Sequence, residues 1–338
     1  MEKSAKVRLV ENCLAEAHIN VESTARLHMG FFDLHGGLGR KFGSIGLSID
    51  APEINLSAKY AEKVLVSSEP TVPVKVLERA NMLAENFLHK FGIKTGVALN
   101  IKQYIPEHAG LGSGTQSALA IGAAINQLYG MGLSTQQISI LSGRGGRSGI
   151  GIAAFDVGGL LIDGGRTLDA TESTVPPLLV RYDFSADWKI LLIFDNSFTG
   201  VNGKAELEAF KTLPVFPENL AAHLCRHVLM QAMPALVEHD LNAFGKCIQV
   251  LQSHVGDYFA PAQGGRYASS KVANVLKRLE KDGLACFGQS SWGPTGFAVF
   301  ESIEAAEKCL ANLKLSFTDS ALDWKICSAR NHGAVISF

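Results

Sequence analysis

The segment "YIPEHAGLGSGTQSALAIGAAINQLYG" sets glycines at 110, 112 and 114 directly before a run of good helix formers. A glycine loop that opens a helix leaves backbone N–H groups unpaired. With the positive end of the helix dipole they make a site for an anion, above all a phosphate. Gly110, Leu111, Gly112, Ser113, Gly114, Thr115 and Gln116 are therefore a candidate ligand-binding set, with two hydroxyls and an amide beside the backbone donors. Two familiar phosphate loops do not fit: no lysine follows as in Walker A, and Thr115 stands where a dinucleotide fingerprint needs glycine. The alternative is an ordinary tight turn.

A second cluster, "SGRGGRSGIG", places Arg144 and Arg147 among glycines and next to Ser148. Guanidinium forks match phosphate and carboxylate oxygens in paired hydrogen bonds. The competing reading is a helix C-cap with two solvated arginines. Two anion sites in one domain would suit a substrate with two phosphate groups.

The densest polar cluster is "ARLHMGFFDLHGGLGR". Strand alternation puts Arg26, His28 and Gly30 on one face, with Asp33 and His35 at the following turn. A basic, an acidic and an imidazole side chain beside a glycine turn form a candidate catalytic set. Later, "GQSSWGPTGFAVF" places Ser290, Ser291 and Trp292 between two strands. Trp292 either stacks on an aromatic ligand or caps the core. In "HLCRH", His223 and His227 lie one helical turn apart, as a zinc pair would, but no acidic partner completes a zinc-protease pattern. A polar helix face is the reading adopted.

These residues need elements to hold them. Strands are expected at "INVESTARLHMGFFDL", "SIGLSID", "INLSAKY" and "GVALNIKQYIP", with a helix over 73–91 bearing Val76, Leu83, Phe87 and Phe91 near one face. A helix N-capped by Ser134 follows the glycine-loop helix, and "GGLLIDGG" reads as a short strand. Beyond about 187 come the buried strand "WKILLIFD", helices near 203–212, 217–237, 240–257, 270–282 and 303–313, and strands "GLACFGQ", "TGFAVFE" and "DWKICSA". Strands and helices without strict alternation give an α+β class with two domains, 1–185 and 186–338.

Composition excludes some partners. The 338 residues carry a net charge of −1, so no global basic field points to nucleic acid or a membrane surface. No apolar run reaches the roughly 18 residues of a membrane-spanning helix. Six scattered cysteines without a Cys-x-x-Cys pair, behind a mixed polar N-terminus, suit reduced thiols in a cytoplasm.

Pro106, "GLGSGTQ" and the helix after it resemble the second motif of the small-molecule kinases of the galactokinase, homoserine kinase, mevalonate kinase and phosphomevalonate kinase superfamily, and "SSWGPTGFAVF" resembles its late glycine motif. The resemblance implies an N-terminal domain like the second domain of ribosomal protein S5 and a ferredoxin-like C-terminal domain. Many of those kinases carry a catalytic aspartate in an "SGxD"-like stretch; here Gly151 falls at that place. The blocks "RLHMGFFDLHGGLGR", "EHAGLGSGTQ", "GRGGRSGIGIAAFDVGGLLIDGG" and "GQSSWGPT" more closely resemble the β-ribofuranosylaminobenzene 5′-phosphate synthases of methanopterin biosynthesis.

That resemblance implies a reaction of 5-phosphoribosyl 1-diphosphate with a 4-substituted benzoate. Carbon dioxide and diphosphate leave and a carbon–carbon glycosidic bond forms. Magnesium is expected with the diphosphate, through few protein ligands, and no organic cofactor. A homodimer is usual by resemblance. Asp33 is then the candidate to face the developing positive charge, and Arg26 and His28 the candidates for the benzoate carboxylate or diphosphate. The alternatives are an ATP-dependent small-molecule kinase of the same fold and a non-catalytic sensor of phosphorylated metabolites.

Overall fold

The structure, a computed structural model, describes residues 18–169, 174–200 and 203–338, with the backbone alone for 203–207. Its first half is organised by two long antiparallel strands, β1 (His18–Asp33) and β3 (Gly43–Ala61). The two stretches "SIGLSID" and "INLSAKY" are thus one strand. The short β2 (Arg40–Lys41) lies between β1 and β3, and β4 (Leu65–Ser68) follows them. Helix α1 (Val74–Lys90) precedes β5 (Gly96–Gln103), which lies antiparallel to the second half of β3 and parallel to β4. The glycine loop opens α2 (Ser113–Leu128). Then come α3 (Thr135–Leu141), α4 (Ile150–Asp156), β6 (Leu160–Asp163), β7 (Arg166–Thr167) and β8 (Leu178–Tyr182). Strand β6 pairs with the first half of β3, and β7 pairs with β2 in a two-stranded ribbon.

The second half begins with β9 (Lys189–Asp195). Helices α5 (Gly203–Thr212) and α6 (Glu218–His227) follow, then a π-helical turn over Val228–Ala232 and α7 (Met233–Val237). The long α8 (Leu241–Gln263) outruns the expected 240–257. Helix α9 (Ser270–Lys281), β10 (Phe287–Gln289), β11 (Gly296–Phe300), α10 (Ile303–Ser316), β12 (Leu322–Ser328) and β13 (Val335–Ser337) complete the chain. The second sheet runs β10-β11-β9-β12, antiparallel throughout, while β13 returns to pair with β1 in the first sheet.

Local chemistry sets the helix starts. Ser134 and Gln137 form a reciprocal capping box on α3, worth about 1 kcal/mol. Helix α2 is buried along most of its length, and Leu119, Ile121, Ile125 and Leu128 each contribute roughly 1.5–3 kcal/mol through removal from water. Because α2 and α8 both pack against β1, the alternation of buried and exposed residues in that strand gives way to continuous burial from Leu27 to Phe31. The first sheet and α8 share one core. Leu191, Ile193, Val272, Val275 and Leu276 belong to a smaller one under α9 and α10.

Candidate active site

Three distant segments meet at the glycine loop. The backbone N–H of Arg26 donates to the Leu111 carbonyl at 3.1 Å, and its guanidinium donates to the Gly110 carbonyl. The Ser290 hydroxyl donates to that same carbonyl at 2.7 Å and accepts from the His28 backbone N–H at 3.0 Å. Gly110 has a φ of 80°, and a methyl there would lie 2.3 Å from the Ser290 carbonyl oxygen. A methyl on Gly293 would lie 2.2 Å from the Gly110 nitrogen, so the loop and the late turn fit only without side chains. The residue that opens α2, Gly112, is also left-handed at 82°, over the Arg26 side chain.

Beside the loop lies a cavity of about 800 Å³. Arg26, Lys41, Arg144, Arg147, Arg166 and Lys211 line it, with His28, Thr115, Ser148 and Ser291; among the described residues no aspartate or glutamate lines it, though Lys211 pairs with Glu208 at 3.8 Å. Phe31, Phe42 and Phe210 form an apolar stretch of wall, with the Arg147 guanidinium 5.2 Å from the Phe210 ring centroid. Burial, and the Arg79 charge alongside, pull the Arg144 guanidinium below its usual range, and its buried Nε has no hydrogen-bond partner. Arg79 itself pairs with Glu107 at 2.8 Å. A partly desolvated arginine beside a helix N-terminus, with further cations around it, is what an oligoanionic ligand needs.

Asp163 fastens this wall. It is fully buried and accepts from the Ser44 hydroxyl at 2.7 Å, the Ser148 hydroxyl at 2.8 Å and the backbone N–H groups of Gly149 at 2.9 Å and Gly165 at 2.8 Å. Burial pushes its carboxyl upward and those four donors pull against the shift. One carboxylate thereby ties the arginine loop to the turn after β6.

His28 stands at the wall between the cavity and an adjoining slot lined by Phe259, Trp292, Gln252 and Gln263. Burial, then the Arg26 charge, pushes its imidazole down to about 3, so it is neutral near pH 7. Its Nε2 is buried without a partner. The β1–β3 register shifts between His28 and Gly30. The bulge resets the alternation, so Phe31 joins Arg26 and His28 on the cavity wall while Gly30 lines the slot.

Several expected ligand contacts have other duties. Gln116 is fully buried, with its amide between the Ser23 hydroxyl at 2.7 Å and the Gly151 carbonyl at 2.6 Å. Leu111 is core, and Ser290 is the strut described above. Ser113 is the buried first residue of α2, with Gly114 next to Arg79 and Arg144. Trp292 packs against Phe259 with ring centroids 4.4 Å apart and reaches the slot, not the cavity. Asp33 is not among the cavity-lining residues: its Oδ1 accepts from His35 N–H at 2.9 Å and Gly36 N–H at 3.2 Å, capping the turn after β1.

His223 and His227 stack at 4.4 Å, yet among the described residues no group of three His, Cys, Asp or Glu side chains is placed to hold a metal ion. That donor set does not fit a protein-held magnesium ion either. Cys225, Cys247, Cys286, Cys309 and Cys327 are free thiols; Cys13 lies outside the described residues.

Sequence reasoning missed Lys41, Arg166, Lys211 and the aromatic wall. Lys41 sits in the turn "HGGLGRKFG" and Arg166 just after "LLIDGG", and only the β2–β7 pairing brings them together.

Comparison with known proteins places these features. The GHMP kinases N terminal domain matches residues 76–159 and the GHMP kinases C terminal domain residues 232–319. A beta-ribofuranosylphenol 5'-phosphate synthase from Archaeoglobus fulgidus is 33% identical over 94% of this chain and 99% of its own. One from Methanocaldococcus jannaschii is 35% identical over 85% of this chain and 91% of its own. Among solved structures, the mevalonate diphosphate decarboxylase of Enterococcus faecalis superposes with a TM-score of 0.65 over 95% of this chain and 98% of its own, at 13% identity, a likeness of fold.

Proposed function

The chain belongs to the beta-ribofuranosylphenol 5'-phosphate synthase family, on the GHMP kinase frame, and from that premise we propose that it condenses 5-phosphoribosyl 1-diphosphate with a 4-hydroxy- or 4-aminobenzoate in methanopterin biosynthesis. The observation that carries the reading is the cavity: six cationic side chains, no carboxylate among the described lining residues, a helix N-terminus and an aromatic wall in one space of about 800 Å³. A donor with two phosphate groups and an aromatic acid meet both kinds of surface there.

In the reaction the anomeric C–O bond breaks and diphosphate leaves with the electron pair. The ring carbon bearing the carboxylate bonds to the anomeric carbon. The C–C bond to the carboxylate then breaks, its electron pair restores the aromatic ring, and carbon dioxide departs. The backbone N–H groups from Gly112 to Gly114, with Arg144, hold the diphosphate as charge develops on it. Arg26 keeps the loop in shape from below, and Arg147 with Ser148 faces the second anionic group. Thr115 and Ser291 supply hydroxyls at the rim. Holding the ring carbon against the anomeric carbon is the main requirement, and the Phe31, Phe42 and Phe210 wall suits it.

His28 stands beside this aromatic wall, its ring centroid 4.5 Å from that of Phe31. Being neutral, it can accept a hydrogen bond from the 4-substituent without adding charge beside the cationic sugar. No described group of protein ligands would hold a magnesium ion, so one that takes part would ride on the donor's diphosphate and neutralise its charge there. The strand order β10-β11-β9-β12 supports a ferredoxin-like C-terminal half, paired with an N-terminal half like the second domain of ribosomal protein S5. The family resemblance supports a homodimer working in the cytoplasm.

Incubation with phosphoribosyl diphosphate and carboxyl-labelled benzoate tests the reading. Release of labelled carbon dioxide is expected. ATP consumption with a small alcohol would make the protein a kinase, and binding without turnover would make it a sensor.

A further inference from the structure

The β2–β7 ribbon carries an arrangement that the fold has no internal need for. Lys41 and Arg166 are direct cross-strand partners, and both line the cavity. Like charges placed opposite each other on a strand pair destabilise it. No carboxylate among the described residues pairs with Lys41, and Arg166 donates only to the Gly146 carbonyl, at 3.3 Å. The Lys41 ammonium lies 5.5 Å and the Arg166 guanidinium 5.7 Å from the centroid of one ring, Phe42.

That ring is held at a cost. Phe42 has a φ of 76°, a left-handed backbone for a bulky residue, and it is buried. Such strain persists only where the surroundings impose it. Here Phe31 and Phe210 meet the ring edge-on at 5.7 and 5.3 Å. The other side of the ribbon is equally fixed: Arg40 donates to the carbonyls of Gly164 at 2.8 Å and Gly165 at 2.7 Å, and Asp163 accepts from the Gly165 N–H. The two cations therefore stand on a braced, strained ribbon, an element separate from the helix that the glycine loop opens.

We propose that Lys41 and Arg166 form a clamp for a phosphate monoester, the 5′-phosphate of the sugar donor, while the glycine loop holds its diphosphate. The inference rests on the phosphoribosyl reading above and deepens it, adding Lys41 and Arg166 to Arg147 and Ser148 as contacts of the donor's second anionic group. A dianion between the two cations turns their repulsion into attraction. The guanidinium fork and the ammonium together match the terminal oxygens of a monoester. Binding both ends of the donor fixes the anomeric carbon between them.

Calorimetry on the full chain tests the clamp with ribose 5-phosphate and with inorganic diphosphate as separate probes. In Lys41→Gln and in Arg166→Gln, the dissociation constant for ribose 5-phosphate should rise about tenfold or more, the loss of one charge-assisted contact. The constant for diphosphate should stay within about threefold, since the ribbon does not contact it. The melting temperature of the ligand-free variants should hold or rise, because a repulsion is relieved. Equal weakening of both probes would reduce the pair to a diffuse field and overturn the clamp, as would unchanged ribose 5-phosphate binding. Should either glutamine variant fail to fold, Arg166→Lys, which keeps the charge and loses the fork, must show the same selective loss or the clamp is wrong. The synthase reading is judged separately by carbon dioxide release from the wild-type protein, so either can fall while the other stands.

Discussion

The Ser290 hydroxyl bonds to the Gly110 carbonyl at 2.7 Å across 180 residues of chain. Through it the conformation of the glycine loop depends on a turn in the other half of the protein. Ser290→Ala strands the buried His28 N–H and leaves the Gly110 carbonyl to the Arg26 guanidinium alone, and should cost about 1–3 kcal/mol of stability. Gly110→Ala should raise the Michaelis constant for the donor through the clash at the Ser290 carbonyl. Since both changes act on one contact, a double-mutant cycle should depart from additivity by at least about 0.5 kcal/mol. Additive effects would mean that loop and turn are independent.

Arg147→Lys retains the charge and loses both the planar fork and the stacking on Phe210. A bidentate ligand contact should lose about 1–3 kcal/mol, a fall of roughly 5- to 150-fold in kcat/KM for the donor. Wild-type kinetics in this variant would return Arg147 to the role of a solvated helix-end arginine.

Asp33 has a turn to hold, and its substitutions separate that duty from electrostatic stabilisation of the sugar cation. Asp33→Asn keeps an oxygen able to accept from His35 and Gly36, so turnover per folded molecule should be near wild type. Asp33→Ala should melt earlier, by about 1–2 kcal/mol, from loss of the two bonds. A fall of about 100-fold in turnover for Asp33→Asn, with unchanged melting, would restore its charge to the chemistry.

His28 should make the fold acid-sensitive. Its folded pKa of about 3 lies below the unfolded value of 6.5, so between these limits the unfolded chain binds the extra proton. Stability from this group is complete above pH 6.5 and is lost as pH falls toward 3, by up to a few kcal/mol at about 1.4 kcal/mol per pH unit. Melting curves from pH 4 to 7 should be steeper in pH for the wild type than for His28→Gln. Parallel curves would show that another group carries the dependence.

What could be read from the sequence was whatever local chemistry decides. The capping box at Ser134, the helix over 74–90 and the glycine loop before α2 follow from adjacent residues. Arg26 and His28 share a wall because strand alternation holds between them. It fails one residue later, where the bulge turns Phe31 onto that wall, and no residue type marks the slip. Gln116 and Ser290 looked like ligand donors because a polar group near a glycine loop has that use, but their partners, Ser23 and Gly110, come from other elements. Asp163 was hidden inside a strand pattern, since "LLID" says nothing about four donors converging on it. Lys41 and Arg166 needed the pairing of strands separated by most of the first half.

A wall of cations does not distinguish anions that arrive from anions that depart. Diphosphate and the phosphorylated riboside both keep the groups that draw the donor in, so the site is prone to stay filled after the bonds have changed. Under the proposed reaction, escape of the leaving group into solvent is then expected to set the pace, and free orthophosphate to compete for the same berth. Removing diphosphate as it forms should quicken turnover, and rising ionic strength should first speed the enzyme by loosening products before it slows it by weakening capture.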